Sequence, residues 1–404
     1  MNVVKIIARN ISSGKKIERL NRVGIIGVPF ELGQKKYGVS IAPAAIRAAK
    51  LKEHLEDIEG LDVKDYGDVE FSLKEKDGNT VANMDHLPLV SGCNKKLSET
   101  VSKVLLDDRI AITLGGDHSI GVGSVDGHYN VNNDMILIWV DAHADINTNK
   151  TSESGSVHGM PVALLVKELQ DYWPYLPTMD WQVPKFSIKN LGYIGLRSVD
   201  SYERLIIKKY NIPAFAMEDI DEMGIKNAIN NMLDILDPEK KKPIHVSFDI
   251  DSLDSIEAPS TGTPVRGGLT LREAICMFEI IHKTGRLRAI DLVEINPALS
   301  SEIDAKKTIE AGILALKAAL GFSRRGTGVL VIVCLFFLKF PFFNLYKNKM
   351  ILYNNSVGAF PVFDVSVKID RNPVEIPLNT LHEVNVTGIS ANKKKYMFKY
   401  IIKK

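Results

Sequence analysis

Residues 135–148 read MILIWVDAHADINT. The opening stretch, Met135 to Val140, is apolar at every position. A strand with one wet face alternates apolar and polar residues. A continuous apolar run fits a strand covered on both faces, as in a parallel sheet. The run stops abruptly at Asp141, followed by His143 and Asp145 at alternate positions. Residues at i, i+2 and i+4 of an extended segment face one side, so these three ionisable groups are expected to converge.

Working outward, five further short apolar runs follow, several of them apolar at nearly every position: RVGIIGVPF (22–30), RIAITLGG (109–116), NLGYIGLRS (190–198), PIHVSFDID (243–251) and LRAIDLVEINP (287–297). Helical periodicity lies between and around them, in APAAIRAAKLKEHL (42–55), KNAINNMLDIL (226–236), LREAICMFEIIHK (271–283) and AKKTIEAGILALKAAL (305–320). Strand and helix alternation of this kind predicts an α/β protein, a three-layer α/β/α sandwich on a mainly parallel sheet. The domain is expected to cover residues 22–322.

The flanks differ. Residues 1–21 form an N-terminal extension; its first twenty residues contain five basic residues and one acid. It lacks the apolar core of a secretory signal, and it reads as a frayed extension or a mitochondrial presequence. Beyond residue 322 the periodicity is lost. The segment 328–346 is strongly apolar but is interrupted by Lys339 and Pro341. Its uninterrupted part, Gly328 to Leu338, is too short to span a bilayer. The extension 323–404 therefore reads as an added β-rich module, a membrane-associated segment, or sequence not selected together with the domain.

Composition narrows the function. The chain has 404 residues, 45% of them hydrophobic, with 51 Lys+Arg against 49 Asp+Glu. That excludes a disordered protein, and a formal charge of +2 makes no electrostatic case for a nucleic-acid partner. Three separated cysteines, Cys93, Cys276 and Cys334, make no disulfide framework. A reducing compartment follows, cytoplasmic by expectation with mitochondrial as the alternative. The sequons at Asn10, Asn354 and Asn385 read as chance matches.

Four apolar runs end in polar clusters, and sites in open α/β sheets form outside the carboxyl ends of the strands. These clusters contain Asp117-His118-Ser119, Asp141-Ala-His143-Ala-Asp145, Asp249-Ile-Asp251, and Glu294-Ile-Asn296. Together Asp141, Asp145, Asp249, Asp251, His118 and His143 would put four carboxylates and two imidazoles in one place. Crowded carboxylates repel and raise one another's pKa, and two divalent cations remove that repulsion. Carboxylate and imidazole donors without thiolate suit Mn²⁺. Metal coordination brings the pKa of water from 15.7 to about 7 and so supplies hydroxide at neutral pH. Phosphate-ester hydrolysis and attack on a trigonal carbon both fit that chemistry.

The motifs GGDHS, DAHADINT, SGSVHGMP, SFDIDSLD and VEINP, with the opening GVPFELGQKKYGVSIAPAAIR, resemble the arginase branch of the ureohydrolases. The resemblance covers about residues 22–322. It implies an eight-stranded parallel sheet, a homotrimer, and two Mn²⁺ per subunit held by His118, Asp141, His143, Asp145, Asp249 and Asp251. It implies hydrolysis of L-arginine to L-ornithine and urea by a metal-bridging hydroxide. Asp145 would be ligand and acceptor, His158 would move protons, and Glu294 would bind the guanidinium. Asn147 and Ser154 would hold the α-carboxylate, Asp200 and Glu203 would lie near the α-ammonium, and Thr263 would line the pocket. Two positions depart from the pattern. Ser198 stands where many arginases have Asp, which predicts weaker arginine binding. Ser156 stands where Asn is common. Two rivals remain: a sister hydrolase of agmatine or another guanidino compound, and a metal-free descendant used for binding. The INT and SGSVHG elements favour the arginine reading, because agmatine has no α-carboxylate to hold.

Overall fold

A computed structural model of the chain describes residues 21–71, 80–173 and 176–324, and the backbone of two further strands at 381–389 and 395–403. Eight strands form one parallel sheet: β1 (Arg22–Gly27), β2 (Asp62–Asp68), β3 (Ile110–Leu114), β4 (Ile136–Val140), β5 (Leu191–Ile194), β6 (Ala214–Phe215), β7 (Ile244–Asp249) and β8 (Leu287–Val293). Their order across the sheet is β2-β1-β3-β8-β7-β4-β5-β6.

The apolar runs have the cause expected of them. In β4, Ile136, Ile138 and Val140 enter one hydrophobic cluster, while Leu137 and Trp139 enter another. Helices Ala42–Ala48, Leu51–Glu56, Ile225–Leu236, Leu271–Thr284 and Glu302–Ala319 pack into the first cluster. Helices Leu87–Leu106, Gly121–Val131, Pro161–Leu165 and Ser201–Tyr210 pack into the second. Each side chain buried this way contributes about 1.5–3 kcal/mol relative to exposure, so both faces of the sheet must be apolar. The three layers are therefore α/β/α.

Local signals set the helix ends. Thr270 caps Leu271–Thr284 in a reciprocal arrangement with Glu273, and Gly285 at φ +70° closes it. The stretch 42–55 is two helices rather than one, because Lys50 sits in the left-handed region at φ +60° between Ala48 and Leu51.

The chain divides into compact units Met1–Arg325 and Gly326–Lys404. In the second, β9 (Leu381–Ile389) and β10 (Lys395–Lys403) pair antiparallel. The first twenty residues, the segment 328–346, Cys334, Asn10 and Asn354 lie outside the described residues. No helix among the described residues is long and apolar enough to cross a membrane.

Candidate active site

Four strands adjacent in the sheet, β3, β8, β7 and β4, send the four polar clusters out from their carboxyl ends. After β3, Gly116 runs against the Phe30 carbonyl, where a Cβ would overlap it. Asp117 then accepts from the Ser119 amide at 3.0 Å and the Gly33 amide at 2.8 Å, which sets the short helix His118–Ile120. His118 is thereby aimed at the ends of β4 and β7.

The route by which Asp141, His143 and Asp145 converge differs from the extended segment expected. Strand β4 ends at Val140, the following residues bend, and Asp145 lies at φ +50°. Glu294, just beyond β8, is at φ +63°. Left-handed backbone is costly for residues other than glycine and clusters at functional sites. Asp249 ends β7, and Asp251 follows inside the 3-10 turn Ile250–Ser252.

The six expected donors meet. His118 Nδ1 lies 3.0 Å from Asp141, 3.2 Å from Asp145 and 3.2 Å from Asp249. His143 Nδ1 lies 3.4 Å from Asp141 and 3.2 Å from Asp251. Two groups of donors have ion-holding geometry, His118–Asp141–Asp249 and Asp141–His143–Asp251, and Asp141 belongs to both.

The electrostatics of this centre are extreme. Burial opposes charge on Asp141, yet the imidazoles of His118 and His143 beside it hold its pKa well below the usual carboxylate range. Burial and then the charge of Asp141 push Asp145 up to about 6. Asp249 and Asp251 are also raised, by burial first and by neighbouring acids next. Burial disfavours the charged form of His143, but Asp141 and Asp251 push it up to about 12. His118 Nδ1 is buried and makes no hydrogen bond of acceptable geometry, although three carboxylates surround it. A buried nitrogen aimed at three acids and left unbonded fits a metal ligand, as does an all-oxygen-and-imidazole donor set.

A cleft of about 440 Å³ opens over this centre and is lined by His143, Asp145, Asn147, His158, Ser198, Asp200, Glu203 and Thr263, among others. Thr263 donates to Asp251 at 2.9 Å. Asn147 donates to Asp200 at 2.7 Å. Asp200 also caps helix Ser201–Tyr210, with Glu203 closing the capping box. Burial, then Asp145 and Asp200, push Glu203 up to about 8.

Glu294 is recessed rather than open. It is 1% exposed and meets Gln34 Nε2 at 2.7 Å, the His118 amide at 2.9 Å and His158 Nδ1 at 3.0 Å. A carboxylate offers about four acceptor positions, so one remains. Burial lowers the pKa of His158, but Glu294 more than reverses this, to about 9. Ser154 bonds locally, its hydroxyl accepting from the Ser156 amide at 3.2 Å.

The Arginase family model matches residues 21–320. The chain belongs to the arginase family. It is 45% identical to "Arginase-2, mitochondrial" of Homo sapiens over 311 residues, 76% of this chain and 87% of that one. It is also 45% identical to the protein of the same name from Rattus norvegicus, over 76% of this chain and 87% of that one. Among solved structures, the arginase from Bacillus subtilis superposes with a TM-score of 0.67 at 34% identity, covering 75% of this chain and 99% of that one. The eight-stranded parallel sheet is the arginase fold, and family and donor geometry together support a metal cofactor.

Within this arginase framework, several supporting residues escaped the sequence reading. Trp139 donates to Asp141 at 3.0 Å and stacks on His118 at 4.0 Å between ring centroids. Ser247 lies 2.9 Å from His118 Nε2. Gln34 holds Glu294. Trp139 and Ser247 each precede a candidate donor by two positions, so strand alternation was a signal that could have found them.

Proposed function

We propose that residues 22–322 form a catalytic domain that hydrolyses L-arginine to L-ornithine and urea with two manganese ions per subunit. The observation that carries this reading is the pair of donor groups sharing Asp141 beside the cleft. His118, Asp141 and Asp249 would hold one ion, and Asp141, His143 and Asp251 the other, with Asp145 beside His118. Bound there, the ions would supply positive charge that lets a water ionise near neutral pH.

The chain's own residues do the rest. Glu294 is the buried anion for the guanidinium, which it meets through its one open acceptor position in a charge-assisted hydrogen bond. Asp145 accepts the proton of the attacking water. As the new C–O bond forms and the C–N bond to the ornithine nitrogen breaks, that nitrogen needs a proton, and His158 holds one against Glu294. Asn147 and Ser154 take the α-carboxylate, Asp200 and Glu203 lie at the α-ammonium, and Thr263 steadies Asp251.

The test is urea and ornithine release from L-arginine and from agmatine side by side, with Mn²⁺ and after chelation. Release from L-arginine that depends on Mn²⁺ is expected. Preference for agmatine would replace this reading. A chain ending near Phe322 should retain the activity if the domain assignment holds. A homotrimer is the proposed assembly, checked by analytical ultracentrifugation. The mitochondrial relatives favour the mitochondrial alternative over the cytoplasm, and fractionation decides between them.

A further inference from the structure

The loop from Asn147 to Ser156 borders the cleft, and an unusual segment braces it from outside. Val81 and Met84 bridge each other at 2.9 Å in both directions, forming a tight turn. Ala82 and Asn83 occupy its corner at φ +50° and +62°. Two consecutive non-glycine residues in left-handed backbone cost energy that the surroundings must offset. Reciprocal bonds to the loop do so. Asn83 Nδ2 donates to the Asn149 carbonyl at 3.1 Å, and Asn149 Nδ2 donates to the Ala82 carbonyl at 2.8 Å. The Asp85 amide donates to the Gly155 carbonyl at 3.0 Å, so the loop is tied near both ends. Lys35 Nζ donates to the Ser154 carbonyl at 2.7 Å and lies 3.7 Å from Asp85. The approach is close enough that a Cβ on Gly155 would come within 2.9 Å of the Asn83 carbonyl.

We infer that Asn83 and Asn149 are positioning residues: their reciprocal clamp fixes the Asn147–Ser156 loop, and so sets affinity for the amino-acid end of the substrate. The inference rests on the proposed part of Asn147 and Ser154 in holding that end. Neither Asn83 nor Asn149 contacts the metal-ligand set, so the clamp bears on binding rather than on the chemical step.

The experiment compares the Mn²⁺-loaded full chain with Asn149→Asp, which keeps the shape of Asn149 but loses its amide donor, and with Asn83→Gly. The glycine variant removes the side-chain bond while relaxing the left-handed backbone, so a folding defect is not its expected result. KM for L-arginine should rise about fivefold in each variant, the scale of one net hydrogen bond, with kcat within about twofold. Amide hydrogen exchange across residues 147–156 should quicken in both. Asn83→Asp, which also removes the amide donor, should behave as Asn83→Gly does. Unchanged KM, or kcat falling with KM constant, overturns the clamp. If the unaltered chain releases no urea from L-arginine, the functional reading fails on its own. The exchange measurement then decides, and unchanged exchange overturns the clamp.

Discussion

Two clusters of buried acids and imidazoles meet at Ser247, and they balance their charge differently. Below it, Asp291 accepts from Ser247 at 3.0 Å, pairs with His245 at 3.0 Å and takes the Ser124 hydroxyl on its other oxygen. Burial works against its charge, yet these partners hold its pKa below the usual range. One carboxylate with both oxygens bonded is satisfied within the protein. Above it, Asp141, Asp145, Asp249 and Asp251 form ion pairs, among the described residues, with His118 and His143 alone, and three of the four acids are pushed up. A satisfied buried network specifies structure. A surplus of buried negative charge calls for a cation from outside. Ionisable groups of the same types thus serve opposite ends, and the ratio of acids to donors separates them.

The sharpest way to break this contrast is to remove the shared donor. Asp141→Asn should lower urea release by at least about a hundredfold, since Lewis-acid stabilisation contributes several kcal/mol, and calorimetric Mn²⁺ titration should lose its tight sites. Cutting the link between the clusters comes next. Ser247→Ala should weaken Mn²⁺ binding by about tenfold or more, the usual effect of deleting a group that orients a metal-ligating histidine. Calorimetry would reveal it, and an unchanged affinity would make Ser247 part of the lower network alone. Adding an acid at the edge of the surplus is gentler. Ser198 lines the cleft, and Ser198→Asp should lower KM for L-arginine by roughly threefold, within the range of partly exposed charge pairs.

The smallest effect is on stability. Glu294 raises His158 from its ordinary 6.5 to about 9, so the folded state binds the proton more tightly than the unfolded chain. The pair's contribution is complete below pH 6.5 and is lost as pH climbs through about 9. The Tm gap between the parent and His158→Asn should therefore be widest on the acid side and close on the alkaline side. A shift of about 2–4 °C per kcal/mol is expected for a domain of this size. A gap that widens with pH would contradict the pairing.

Six of the eight strands in the large sheet were legible, because β1, β3, β4, β5, β7 and β8 are buried along nearly their whole length and rich in apolar residues. The edge strands were not. In β2 the residues are DVKDYGD with only Val63 buried, and β6 has two half-buried residues. An edge strand covered on one side carries no continuous apolar run. The six proposed metal donors were legible as residue types at strand ends. Their geometry was not, since nothing about an aspartate announces φ +50° at Asp145. The expected period-two convergence gave way to a bend there.

Periodicity and residue chemistry are local properties of the chain, so the sequence alone determined an α/β/α domain and an acid-and-imidazole centre at its strand ends. Contacts between distant positions depend on how the layers pack. Only the tertiary structure decided that the His118 amide meets Glu294, 176 positions away, and that Asn83 meets Asn149, 66 positions away. Hydrogen bonds act over about 3 Å, and no one-dimensional pattern encodes which remote groups the fold brings within that reach.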